Sequence, residues 1–192
     1  MQPVATPNIL VVRLSSLGDI VLTVPVYKNL KAHWPGCRIA VLVKPQYLPV
    51  LEGHPCVDEV IAFRGLLDAV RLIGNRGFSH LLDLHCNFRS FVIRCLSAIP
   101  NKARYRKDAL ARRVFVSLGY ASPALTKHTI DRYLESLKVW GVAAPTRVPA
   151  VVIANPGMVG ALMAASSASV SNPSLMLASS WAITWSAPAS AA

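Results

Sequence analysis

Acidic side chains are scarce in this chain. Its 192 residues carry 9 Asp and Glu against 20 Lys and Arg, a formal charge of +11 with a pI near 10.0. Such a field favours phosphates, nucleic acid or anionic lipid as partners. Cysteine is also sparse: Cys37, Cys56, Cys86 and Cys95 form no C-x-x-C pair and no zinc spacing, and they read as reduced, mostly buried thiols of a cytoplasmic protein. The N-terminus MQPVATPNILVV lacks the basic-then-apolar order of a signal peptide. Outside the tail, no window reaches the roughly 18 uncharged apolar residues of a membrane span. A G-x-G-x-x-G loop and a P-loop are both missing, so neither nucleotide fingerprint applies.

The most telling absence is positional. Every charged residue lies at or before Arg147, and residues 148–192 contain none. Residues 1–147 have the composition of an ordinary soluble domain. The remainder, MVGALMAASSASVSNPSLMLASSWAITWSAPASAA from Met158 onward, has neither charge nor a helical or strand period. It reads as a low-complexity tail, not a normal domain, with the look of a GC-rich gene translated in a shifted frame.

What is present in 1–147 is an alternation of short β-branched runs with longer amphipathic stretches, the pattern of a parallel sheet with crossover helices. Strands are expected at 8–14, 38–44, 57–63, 79–83 and 102–106. Helices are expected at 19–33, 66–75, 87–98 and 127–140, with Pro25 either kinking the first or marking its true start. The near-continuous apolar run NILVVRL marks a strand buried on both faces. The fold class that follows is α/β, a Rossmann-like doubly wound parallel sheet.

In such a sheet ligands bind beyond the carboxyl ends of the strands. Beyond the first strand lie Ser15, Ser16, Leu17, Gly18 and Asp19. Ser15, Ser16 and Gly18 can offer backbone N–H groups to an anion. Asp19 has two readings: a helix cap worth about 1 kcal/mol, or a general base at the cleft. As a base, its replacement by Asn should cost turnover and little stability; as a cap, stability alone.

Beyond the fourth strand runs Asp83-Leu84-His85-Cys86-Asn87-Phe88-Arg89-Ser90. Asn87 and Arg89 can bind a hydroxyl or a phosphate, or act as an N-cap followed by a solvated Arg. A Cys86 nucleophile beside His85 lacks a third group to orient it. Farther on, Lys102, Arg104, Arg106, Lys107, Arg112 and Arg113, with only Asp108 among them, form either a solvated face or a docking surface for a phosphorylated acceptor. Tyr105 is the single interleaved aromatic, which argues against nucleic acid.

Four segments in order, ILVVRLSSLGDIVLTVPV, LKAHWPGCRIAVLVKPQYLPVLEGHPCVDEVIAF, LLDLHCNFRS and HTIDRYLESLKVWGV, together resemble glycosyltransferase family 9, the lipopolysaccharide heptosyltransferases, over residues 8–142. The resemblance implies the N-terminal half of a glycosyltransferase B fold, holding the acceptor, with an ADP-sugar donor held by a second domain. It implies heptose transfer to the lipopolysaccharide inner core with inversion, no catalytic metal and no cofactor besides the donor. Asp19 then becomes the base that takes the acceptor hydroxyl proton. The partner is an anionic glycolipid precursor, met at the cytoplasmic face of the inner membrane. The donor-side domain is not recognisable after residue 147, so this chain is expected to be inactive alone, and the alternative is a non-catalytic fragment that binds an anionic glycolipid or a protein. One departure stands inside the motifs: the family reads D-L-Q-G-N at the second loop, where this chain has Cys86 in place of Gly.

Overall fold

The computed structural model describes residues 6–105 and 128–149. Five strands form one sheet: β1 (Asn8–Val12), β2 (Arg38–Val43), β3 (Glu59–Ala62), β4 (His80–Asp83) and β5 (Asn101–Arg104). Their spatial order is β3-β2-β1-β4-β5 and every pairing is parallel. The sheet thus grows outward on both sides of β1, and the loops that follow β1 and β4 flank the switch point at which such sheets bind ligands. This is the expected α/β Rossmann-like fold.

Alternation along the central strands divides the core in two. Ile9 and Val11 of β1, with Ile39, Val41 and Val43 of β2, face one layer; Leu10, Val12, Ala40 and Leu42 face the other. The first layer is covered by α1 (Leu17–Val21), α2 (Val24–His33), α3 (Leu48–Leu51) and α6 (Thr129–Glu135). The second is covered by α4 (Leu66–Gly74) and α5 (Phe88–Leu96). With both faces covered, β1 is buried along nearly its whole length, as its unbroken apolar run requires.

The single helix expected over 19–33 is two. α1 closes at Val21, and α2 begins at Val24 with Pro25 in its first turn, where a missing N–H breaks no intrahelical bond. The buried Thr23 between them bonds the Ile20 carbonyl and the Tyr27 hydroxyl, so the hydroxyl buried at the break is satisfied. Two elements at 45–51 add to those expected: a 3-10 turn, Pro45–Tyr47, and α3. Pro45 and Pro49 argue against a helix in the sequence, yet each sits in a first turn, where proline is tolerated. The third strand starts later than expected because Asp58 makes bonds of its own. Its carboxylate accepts from the Ile39 N–H at 2.7 Å and pairs with Lys31 at 2.7 Å. Burial alone would raise the Asp58 carboxyl, but the Lys31 and Ile39 hydrogen bonds and the charges of Lys31 and Arg38 carry it below its ordinary value.

The closing helix expected at 127–140 is α over 129–135 and 3-10 over Ser136–Trp140. It stops at Gly141, whose φ of 69° is the left-handed conformation glycine adopts at no steric cost. The segment beyond runs back over α2. Asn29, buried there, donates to the Thr146 carbonyl at 2.8 Å and accepts from its N–H at 3.2 Å. Of the four thiols only Cys37 is buried; Cys56 and Cys86 are half-buried and Cys95 is exposed, contrary to the expectation of mostly buried cysteines. No helix among the described residues is long and apolar enough to cross a membrane.

Candidate functional site

At the carboxyl end of β1 the chain leaves the sheet through Arg13 and Leu14, both buried, and turns into α1. Asp19 lies in the first turn of this five-residue helix, with Ser16 as its N-cap. Its Oδ2 accepts from the Ser16 hydroxyl at 2.9 Å and from the Ser16 N–H at 3.4 Å. The same oxygen forms an ion pair with the Arg13 guanidinium. Oδ1 has no hydrogen-bond partner among the described residues, and the Asp19 side chain keeps 35% of its surface. The carboxylate is therefore tethered by one oxygen and open at the other. It is not itself the cap, since Ser16 occupies that position; it does reach back to Ser16, so the structural and chemical readings of Asp19 share one geometry.

Arg13 is the residue that sequence reasoning missed. In the sequence it only interrupts an apolar run, but its side chain is 9% exposed. One guanidinium nitrogen donates to the Leu84 carbonyl in the loop after β4, another pairs with Asp19, and the plane lies 5.5 Å from the centre of the Tyr133 ring of α6. Tyr133 in turn meets Tyr105 edge-on at 5.1 Å. Burial pushes the Tyr133 phenol well above its ordinary value, the Arg13 charge opposing, so it stays neutral. One buried cation thus ties together the β1–α1 loop, the β4–α5 loop and α6. Lone arginines at strand ends are common, and no spacing rule marks this one.

Ser15 is half-buried, while Ser16 and Gly18 are exposed beside Asp19. The Ser15–Ser16 peptide is cis. A Cβ placed on Gly18 would meet nothing within 4 Å among the described residues, so none of them requires glycine there.

The second loop is organised by Asp83. Its buried carboxylate accepts from the backbone N–H groups of His85 at 3.0 Å and Cys86 at 2.9 Å. Cys86 takes a φ of 50°, the left-handed conformation a glycine would occupy at no cost and any other residue occupies at a penalty. Its thiol donates to the Tyr105 carbonyl at 2.9 Å. The loop geometry thus survives the loss of glycine. Asn87 is the N-cap of α5: its Oδ1 accepts from the Ser90 N–H at 2.9 Å while the Ser90 hydroxyl accepts from the Asn87 N–H at 3.0 Å. The capping reading of Asn87 is therefore realised, and its side-chain NH2 has no hydrogen-bond partner among the described residues. Arg89 is exposed on the first turn of α5.

Only two members of the basic run, Lys102 and Arg104, lie among the described residues. Lys102 turns its ammonium onto the last carbonyls of α5, donating to Arg94 at 2.7 Å and Ser97 at 2.7 Å, a helix C-terminal role. Arg104 is exposed at the end of β5. Arg106, Lys107, Arg112 and Arg113 lie outside the described residues, as does the whole tail from Ala150. Among the described residues no three His, Cys, Asp or Glu side chains gather as a metal site.

No protein-family model matches the chain. Over 140 residues it is 21% identical to lipopolysaccharide heptosyltransferase 3 of Escherichia coli K12, covering 65% of this chain and 40% of that protein. Among solved structures, a family 9 glycosyl transferase from Veillonella parvula superposes with a TM-score of 0.63 at 22% identity, over 85% of this chain and 50% of that one. The E. coli ADP-heptose heptosyltransferase II gives 0.59 at 18% identity, over 78% and 47%. E. coli heptosyltransferase WaaC, solved with ADP, gives 0.57 at 21%, over 76% and 51%. The chain spans 40% of the curated relative and about half of each structural neighbour. The resemblance read from the four segments and the half-fold it implies are both borne out.

Proposed function

We propose that this chain is the acceptor-side half of a family 9 glycosyltransferase, with Asp19 as the catalytic base for transfer of a heptose to an anionic lipopolysaccharide precursor. The observation that carries the reading is the state of Asp19: beyond the carboxyl end of β1, in a sheet whose fold matches about half of a family 9 glycosyl transferase and of two heptosyltransferases, one carboxylate oxygen is tied by Arg13 and Ser16 and the other has no partner among the described residues. The open oxygen takes the acceptor hydroxyl proton. The acceptor oxygen forms its bond to the sugar C1 as the bond from C1 to the diphosphate breaks, and the nucleotide diphosphate leaves from the opposite face with inversion. Arg13 fixes the direction of the carboxylate, since a base must be held within hydrogen-bond reach of the proton it abstracts.

Ser15, Ser16, Gly18, the free NH2 of Asn87 and Arg89 supply the acceptor side, with Arg112 and Arg113 contributing charge toward phosphates on the precursor. The open space over Gly18 suits a sugar or phosphate laid against the backbone. The donor, an ADP-sugar, is held by a second domain, which supplies the contacts on the leaving diphosphate. The experiment is a chimera that joins residues 1–147 to the donor half of the E. coli relative. Asp19→Asn should lower its turnover by about 10²–10⁴-fold with acceptor binding retained. Turnover within about threefold of the parent would remove Asp19 from the chemistry.

A further inference from the structure

Two polar contacts hold the Arg13 guanidinium. One nitrogen donates to the Leu84 carbonyl and another pairs with Asp19. Two points define a line, and about that line a planar group can still rock. The remaining nitrogen, Nε, is buried and has no hydrogen-bond partner among the described residues. The third contact is Tyr133 of α6, whose ring lies beneath the guanidinium carbon, 5.5 Å from carbon to ring centre. An aromatic face attracts a cation and weakly accepts an N–H. Tyr133 is itself fixed. It is 1% exposed, in the core layer that holds Ile130, Leu134 and Leu137, and Tyr105 stands edge-on to it at 5.1 Å. Tyr105 is secured by its backbone: its N–H donates to the Asp83 carbonyl at 2.9 Å, and its carbonyl accepts from the Cys86 thiol at 2.9 Å. Burial keeps the Tyr133 phenol neutral, so the ring offers Arg13 a face and no charge that would compete with Asp19.

The contact matters for Asp19 because the torsion that turns a carboxylate's two oxygens is broad. Oδ2 is tied to Arg13 and Ser16, and Oδ1 has no partner among the described residues. A guanidinium that rocks lets the carboxylate turn and exchange the two. We infer that Tyr133 is a positioning residue: its ring stops Arg13 from rocking and so keeps Asp19 presenting Oδ1 to solvent, while Tyr105 braces the ring. The use of that oxygen for proton transfer rests on the function proposed above; the hold on Arg13 does not.

Tyr133→Leu keeps an apolar side chain in the layer but removes the aromatic face, whereas Tyr133→Phe removes only the hydroxyl. In the isotope-labelled full chain, the leucine variant should speed solvent exchange of the Arg13 Nε–H by about tenfold or more, and the phenylalanine variant should leave it as in the parent. In the chimera described above, Tyr133→Leu should lower kcat by about tenfold with the acceptor KM within about twofold, and Tyr133→Phe should restore kcat. Where the leucine variant does not unfold cooperatively in urea, Tyr133→Met takes its place. Unchanged Nε–H exchange on loss of the ring, equal kcat losses in the leucine and phenylalanine variants, or a loss confined to KM would overturn the inference. An active Asp19→Asn chimera would remove the base and leave Nε–H exchange to decide the hold on Arg13, so the two failures are told apart.

Discussion

Replacing Asp19 does more than remove a base, because a buried arginine depends on it. Arg13 is 9% exposed in its side chain and Asp19 35%. At an effective dielectric near 20 a contact pair attracts by about 4 kcal/mol, and the water reaching Asp19 reduces the net to about 1–2 kcal/mol. Asp19→Asn keeps the size and one acceptor but loses the charge, so it should destabilise by about that amount. Arg13→Met loses the same pair, leaves the buried Leu84 carbonyl without its donor, at about 1–3 kcal/mol, and loses the stacking on Tyr133, at about 0.5–1 kcal/mol. The sum is about 2.5–6 kcal/mol. In a double-mutant cycle read by urea unfolding, the two losses should fall short of additivity by about 1–2 kcal/mol, less at about 1 M salt. A coupling below about 0.5 kcal/mol would show that Arg13 does not rely on Asp19, and Asp19 would then not be a tethered base. With the Arg13 pair in place both roles of Asp19 are expected to cost stability, and only turnover separates them.

Cys86→Gly should stabilise the fold by about 0.5–1 kcal/mol by relieving the left-handed backbone, in excess of the lost thiol contact; a lower midpoint in urea would mean the thiol bond to Tyr105 matters more. His80 sits against Trp34 and Trp140, with ring centres 5.4 and 5.0 Å away, and burial lowers its imidazole below the ordinary value. The unfolded chain then binds the extra proton first, so the His80 contribution is complete above about pH 6.5 and is lost as pH falls through the folded value. His80→Gln should flatten that part of the melting-temperature profile, and an NMR titration showing a raised His80 would contradict it. Asn29→Ala frees both backbone groups of Thr146, so hydrogen exchange at the Thr146 amide should accelerate by about tenfold or more while β1 amides lag behind; unchanged exchange would mean that the 141–147 segment is held elsewhere.

The fold was legible because its signals are periodic. Continuous apolar runs in NILVV and RIAVLV have no other use than a doubly covered sheet, and Gly141 marked its helix end through a backbone conformation only glycine adopts freely. Asp19 was legible from its place after the first strand. What escaped were features decided by tertiary partners. Arg13 owes its burial to Leu84 and Tyr133, which lie 71 and 120 residues away along the chain. Lys102 belongs to the basic run by sequence but caps α5 in the fold, and the short helix at 48–51 depends on packing under β3 and not on its proline-broken sequence. The capping role of Asn87 was legible because Asn before a helix with Ser three residues on is a local signal.

If residues 6–149 hold an acceptor site and the donor site lies elsewhere, the two substrates must act differently on this chain. The direct measurement is an NMR titration of the isotope-labelled full chain, first with a heptose-free lipopolysaccharide precursor and then, separately, with ADP-heptose. Saturable shifts are expected at Ser16, Gly18, Asp19 and Asn87 with the precursor and none with the nucleotide sugar. Saturable binding of ADP-heptose at those residues, or no response of the Asp19 loop to the precursor, would contradict that division of the sites.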